Sequence, residues 1–183
     1  MRLKDRIAPG VHTLFVGINP GVRSAETGHH FAGFSNRFWK LLYESRLVPE
    51  PIGALDDDRL PEWGFGITNL IARPSPGIDD LQPAEYPHGW AVLERKIARY
   101  RPSIVALVGV TLYRAILPLL AVDASAAPLS GPPRPAVGLQ RERVHGARLF
   151  VLPNPSGRNA HFSYAAMLAA FQQLKRTIAR KAG

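Results

Sequence analysis

Two short polar turns each follow directly on a hydrophobic run. Gly17-Ile18-Asn19-Pro20-Gly21 follows His12-Thr13-Leu14-Phe15-Val16, and Asn154-Pro155-Ser156-Gly157 follows Arg148-Leu149-Phe150-Val151-Leu152-Pro153. Asn-Pro with a nearby glycine is a turn signal in its own right. If both runs are parallel strands of one sheet, both turns lie at carboxyl ends of strands, where open α/β sheets place their ligands. The first turn runs on through Ser24, His29-His30-Phe31 and Ser35 to Asn36-Arg37-Phe38-Trp39-Lys40. Long polar loops in compact domains are either functional or disordered, and two histidines beside an aromatic favour function.

Much chemistry is excluded at this level. The chain has no cysteine, so it has no disulfide, no thiolate zinc ligand and no thiol nucleophile. His29 and His30 are adjacent and point in different directions unless the loop bends sharply. His12, His88, His145 and His161 form no motif with them, whereas zinc needs three or four converging ligands. No glycine-rich phosphate loop and no Gly-x-Ser-x-Gly elbow is present, so the expectation is no metal and no cofactor. The formal charge of +9 over 183 residues points to an anionic partner, and nucleic acid is the usual one. Basic residues cluster at Arg95 to Arg101, at Arg141 and Arg143, and at Lys175 to Lys181. No apolar segment follows Met1-Arg2-Leu3-Lys4-Asp5, so no signal peptide is expected. The apolar stretch from Ser103 to Leu120 carries Arg114 and Pro118 and is split by Gly109. It reads as strand, turn and helix rather than a membrane span.

These features have to be positioned by an alternating set of elements. The patterns predict strands at 12–18, 65–71, 103–109 and 147–152, and helices at 35–47, 90–100, 111–120 and 162–180. Ser35 or Asn36 is the expected cap of the first helix. Phe38, Leu41, Leu42 and Ser45 share one of its faces, and Ala166, Ala170, Leu174 and Ile178 form the expected stripe of the last. Residues 123–140, rich in Pro, Ala and Gly, read as a surface loop. The expected fold is a single α/β domain over residues 1–183, a three-layer α/β/α sandwich on a mainly parallel central sheet.

Taken together, the motifs resemble those of the mismatch-specific uracil-DNA and thymine-DNA glycosylases of the uracil-DNA glycosylase superfamily. The matches are Gly17 to Gly21, Ser24, His29-His30-Phe31, Asn36 to Lys40, Gly64-Phe65-Gly66-Ile67-Thr68-Asn69-Leu70, Arg73-Pro74-Ser75-Pro76-Gly77 and Asn154 to Gly157. They run in order over about residues 11–178 and are specific jointly, though weak singly. The resemblance implies the uracil-DNA glycosylase fold. It also implies an enzyme that flips uracil, or thymine in some members, out of DNA opposite guanine, hydrolyses the N-glycosidic bond and leaves an abasic site for base-excision repair.

Such a reaction builds positive charge on the sugar and negative charge on the departing base. It therefore calls for an oriented water and for hydrogen bonds to the base oxygens. By the resemblance, Asn19 positions the water; an amide is no useful base near neutral pH, so turnover should be slow beside a relative with a carboxylate. Ser75 helps hold that water, Asn69 reads the base edge, Phe31 stacks on the flipped base, and Ile18, Ser24 and His30 complete the base site. Serine at position 24 implies a uracil preference with weak thymine activity. Asn154, Pro155, Ser156, Gly157, Arg158 and Asn159 supply DNA contacts and the wedge, Arg158 standing where relatives carry an apolar side chain. Asp79, Asp80 and Glu85 read as solvated loop charges, with water activation as their alternative role. Taken alone, Asn19, Asn69 and Ser75 are also ordinary turn residues and Phe31 an ordinary core aromatic. The implied partner is double-stranded DNA with a mismatched or damaged base, with no membrane, a monomeric state and a cytoplasmic location. The alternatives are a catalytically silent DNA-damage binding protein of the same fold, and an RNA- or nucleotide-binding α/β domain recruited by charge alone.

Overall fold

The computed structural model describes residues 3–120 and 136–180. Five strands form one sheet: β1 (Thr13–Gly17), β2 (Phe65–Asn69), β3 (Ile104–Val108), β4 (Gly138–Val144) and β5 (Ala147–Leu152). Their order is β2-β1-β3-β5-β4, all parallel except the edge strand β4, which runs antiparallel to β5. The helices are α1 (Val22–Thr27), α2 (Phe38–Glu44), α3 (Glu85–Tyr100), α4 (Val110–Ile116) and α5 (Tyr164–Ala179), with 3-10 turns at Ala54–Trp63, Ile78–Asp80 and Leu117–Leu119.

Both faces of the sheet are covered, which is why β1, β3 and β5 read as unbroken apolar runs. Alternate residues face opposite sides. Leu14, Val16, Val105, Leu107, Leu149 and Val151 pack with Trp90, Leu93 and Ile97 of α3 and Leu112 and Ile116 of α4. Phe15, Ile67, Ile104, Ala106, Phe150 and Leu152 pack with Phe38, Leu41 and Leu42 of α2 and Met167, Phe171 and Leu174 of α5. Each fully buried Leu, Ile or Phe contributes about 1.5–3 kcal/mol to such a core. The expected three-layer α/β/α sandwich with a mainly parallel sheet is the observed one.

Four details differ from the sequence reading. Residues 138–140 belong to β4 rather than to a loop; the charged run Gln140-Arg141-Glu142-Arg143 hid this edge strand, where charges blunt unwanted pairing. The remainder of the expected 123–140 loop, up to residue 135, lies outside the described residues. Helix α3 starts at Glu85, before Pro87, because proline is tolerated in a first turn. Along α5 the buried stripe is Met167, Ala170, Phe171, Leu174 and Thr177, with Ala166 exposed, because strict four-residue spacing drifts off a face of period 3.6. Helix α2 opens at Phe38 with Arg37, not Ser35 or Asn36, at its N-cap and no capping side chain; Asn36, one residue earlier, accepts from Phe38 N–H with its Oδ1 at 2.9 Å, which shapes the entry into the helix. No helix among the described residues is long and apolar enough to cross a membrane.

The amino-terminal segment adds a short antiparallel bridge to the outer edge of β2. Arg6 N–H donates to Ile67 O (3.0 Å) and Ile67 N–H donates to Arg6 O (2.9 Å).

Candidate active site

The loops that follow β1, β2 and β5 meet at the carboxyl end of the sheet. The β1–β2 pairing continues past both strands. Leu70 N–H donates to Gly17 O and Ile71 N–H to Ile18 O, both at 2.8 Å, and Ser75 N–H donates to Pro20 O at 3.1 Å. This zipper carries the 70–77 segment alongside the first motif. Ile18 contributes its carbonyl to it, while its side chain packs on the core beneath.

Asn19 is held by its amide nitrogen. Nδ2 donates to Ser75 Oγ at 2.8 Å and to the carbonyls of Pro20 and Arg73, both at 3.2 Å. Two carbonyls fix which end of the amide is NH2, because they can only accept. Oδ1 is therefore directed away from them and accepts no hydrogen bond among the described residues. Ser75, 4% exposed, accepts from Asn19 and donates its one hydrogen to Gly77 O at 2.5 Å. Its hydroxyl is thus committed to orienting Asn19, and only a lone pair remains for a water. Outside this pair, Arg73 bonds Glu85 through Nε (2.9 Å) and Nη2 (2.8 Å) and reaches Asp80 O with Nη2. The guanidinium beside Glu85 holds that carboxyl down at about 2. Asp80 Oδ2 accepts from Gly77 N–H, and Asp79 is exposed.

A second group surrounds Gly17. A Cβ there would lie 2.6 Å from Asn69 Oδ1 and 3.4 Å from Phe31 Cζ, so glycine is what lets both side chains close over the strand end. Phe31 has φ +50° and stacks on Phe38 with ring centroids 4.3 Å apart. His30 is 2% exposed; Nε2 lies 2.9 Å from Lys4 O and Nδ1 3.4 Å from Asn69 Nδ2. A carbonyl partner requires the proton on Nε2, so Nδ1 is an acceptor facing the Asn69 amide. Burial pushes His30 below the ordinary histidine value of 6.5, against the opposing pull of the Lys4 carbonyl and of Asp57 and Asp5, and keeps it neutral. Ser24, buried, accepts from Ala32 N–H at 3.1 Å, so its hydroxyl pins the loop that carries His30 and Phe31.

Asp57, fully buried, was not singled out in the sequence. Its Oδ1 accepts from Arg6 Nε (3.0 Å) and contacts His29 Nδ1 (3.1 Å), while Oδ2 accepts from His30 N–H (2.9 Å). Arg6 also donates to Gly28 O, and Trp39 Nε1 donates to His30 O. Asp57 lies in the run Asp56-Asp57-Asp58, which reads as a solvated acidic stretch, and nothing in its spacing marks the middle carboxylate as buried.

The second motif shapes itself. Asn154 Oδ1 accepts from Ser156 N–H, Asn159 Nδ2 donates to Asn154 O, and Ser156 Oγ accepts from Arg158 N–H. These polar side chains serve the turn, whereas the Arg158 side chain is exposed and unpaired among the described residues. Beside it lies a cleft lined by Thr111, Arg114, Asn154 and His161. Gly157 sits against the first loop: a Cβ there would lie 2.6 Å from Ser35 Cβ, and Arg37 N–H donates to Pro155 O at 2.9 Å. The predicted site residues thus form three groups, Asn19 with Ser75, His30 with Asn69 and Phe31, and residues 154–159. The third is joined to the others through the loop at 33–37.

An α/β/α sandwich with these loops at one end of its sheet is the frame of a known enzyme superfamily. The family model for the uracil DNA glycosylase superfamily matches residues 5–175, and the chain belongs to that superfamily. It is 36% identical to a protein of Schizosaccharomyces pombe described as a G/U mismatch-specific uracil DNA glycosylase. That match covers 87% of this chain and 48% of the yeast protein, so the chain spans about half the length of this curated relative.

Proposed function

We propose that this chain is a monofunctional DNA glycosylase. It acts on uracil in duplex DNA, mainly opposite guanine, with weaker action on thymine, and leaves an abasic site for base-excision repair. The observation that carries the reading is the oriented Asn19 amide. Its NH2 is saturated by Ser75 Oγ and two carbonyls, which leaves Oδ1 as a fixed acceptor.

The chemistry follows from that orientation. As the glycosidic bond breaks, its electron pair leaves with the base, and C1′ of the sugar becomes electron-poor. A water whose hydrogen is accepted by Asn19 Oδ1 presents its lone pair to C1′ and loses its proton to solvent after attack. Asn19 orients and does not deprotonate, so the rate is modest beside that of an enzyme with a carboxylate base. Phe31, backed by Phe38, offers a rigid stacking surface. Asn69, with one N–H directed to His30, keeps a second N–H and Oδ1 for the imide edge of the base. Arg158 fills the space vacated by the extruded nucleotide, whose release from the stack costs a few kcal/mol and least at a mismatch. One chain carries every group named here, in keeping with a monomer, and a chain without cysteine suits the reducing cytoplasm. The one lysine of the matched motifs, Lys40, lies exposed on α2 beside Glu44 rather than among Asn19, Ser75, His30, Asn69 and Phe31, so strand cleavage by β-elimination through a Schiff base is not expected.

The test is excision from end-labelled duplexes carrying G·U, A·U or G·T, and from single-stranded U, with hot alkali to cut abasic sites. G·U should be cleaved best, and Asn19→Ala should lose about 10²–10³ in single-turnover rate. Binding to DNA without cleavage of any substrate would favour the silent damage-binding alternative.

A further inference from the structure

We propose that Phe34, backed by Arg23, is a stacking contact for a nucleobase of the DNA strand flanking the extruded nucleotide. The identity of the DNA rests on the glycosylase reading; the contact rests on the geometry of the rim. Phe34 is 89% exposed, ahead of every other large hydrophobic residue described. One ring face is covered, by the Arg23 guanidinium with Cζ 3.6 Å from the centroid, and Arg23 Nε is pinned by Ala32 O at 2.9 Å.

The backbone that carries the ring is also held in place. Asn36 N–H donates to Gly33 O, Asn36 Oδ1 accepts from Phe38 N–H, Ser35 lies under Gly157, and Arg37 N–H donates to Pro155 O. Phe34 therefore stands on the rim formed jointly by the first loop and the second motif, on the same edge as Arg158. No carboxylate pairs with Arg23, Arg37 or Arg158 among the described residues. A planar apolar surface between unneutralised cations fits a polyanion that carries flat apolar rings. The backbone is fixed and Arg23 braces one ring face before binding, which reduces the conformational entropy a stack on the other face would lose, and base–aromatic stacking tolerates any sequence.

The experiment uses a fluorescein-labelled duplex with a tetrahydrofuran abasic analogue opposite guanine. Its affinity is read by anisotropy for the wild type and for Phe34→Ala, Phe34→Leu and Phe34→Trp, beside G·U cleavage by the same proteins. Loss of one stack should weaken binding about tenfold in Phe34→Ala and Phe34→Leu, while Phe34→Trp stays within about twofold of the wild type. Saturating single-turnover rates should be unchanged, because Phe34 touches none of the groups around Asn19. Wild-type affinity in Phe34→Ala, or rescue by leucine as complete as by tryptophan, would overturn the contact. If the wild type releases no uracil while the Phe34 dependence of duplex binding persists, the glycosylase reading fails and the contact stands.

Discussion

Asn19 shows how one neighbour can set the chemistry of a side chain that is a weak reagent by itself. Ser75 does so through a hydroxyl that accepts from the Asn19 amide and donates to Gly77 O. Ser75→Ala removes the shortest of the three acceptors that hold the Asn19 amide, about 1 kcal/mol, and loosens its orientation on the two carbonyls that remain. The single-turnover rate on G·U should fall about tenfold with little change in duplex affinity, and Ser75→Thr should restore it. His30 sets a pH limit of a different kind. Its Nδ1 must be unprotonated to accept from Asn69, and its burial depresses its pKa. Excision should therefore hold through neutral pH and fall only as pH drops through a value below 6.5; a rate–pH profile reads this directly. Stability carries the same sign. The unfolded chain takes up the His30 proton at a higher pH than the native one, so this contribution is complete above 6.5 and is lost as pH falls below it.

Among elements, the loop between β1 and α2 depends most on distant partners. Asp57 anchors it through the backbone N–H of His30 and through His29, with Arg6 closing the other side. Asp57→Asn removes the buried charge that accepts from the half-buried Arg6 and from His30 N–H, and should lower unfolding free energy by about 2 kcal/mol in urea titrations. It should also lower G·U excision, because His30 and Phe31 ride on that loop. The sequence carries only part of this arrangement. The turns after β1 and β5 were legible because Asn, Pro and Gly after apolar runs have local causes. The strands were legible because a sheet buried on both faces leaves continuous Val, Ile, Leu and Phe. What was not legible depends on neighbours far along the chain. The Asn19–Ser75 and His30–Asn69 contacts exist only because β1 lies beside β2, and the family resemblance, not local pattern, pointed to those residues. Asp57 hid in an acidic run and β4 among alternating charges, where composition suggests solvent.

For the whole molecule, topology decides where the charge goes. Helix α5 leaves the rim after residue 163 and returns toward the amino end of the sheet, where Arg148 at the start of β5 donates to Thr177 O at 3.3 Å. The exposed cations Lys175, Arg176 and Arg180 therefore lie away from the rim, and add to the long-range field more than to local contacts. The rim has its own cations in Arg23, Arg37, Arg114 and Arg158. A chain lacking residues 1–7 should keep the sheet and both core clusters, with near-native far-UV circular dichroism, yet lose at least about tenfold in excision, the scale of one lost positioning contact.

That expectation turns the bridge between Arg6 and Ile67 into a practical matter of handling. The Lys4 carbonyl and the Arg6 side chain are part of the scaffold behind His30 and Asp57. A fluorophore or cross-link placed at residues 4–6 pulls on the loop that carries His30 and Phe31. The same label on the exposed Lys175 of α5 hangs from the opposite end of the sheet and leaves that loop alone.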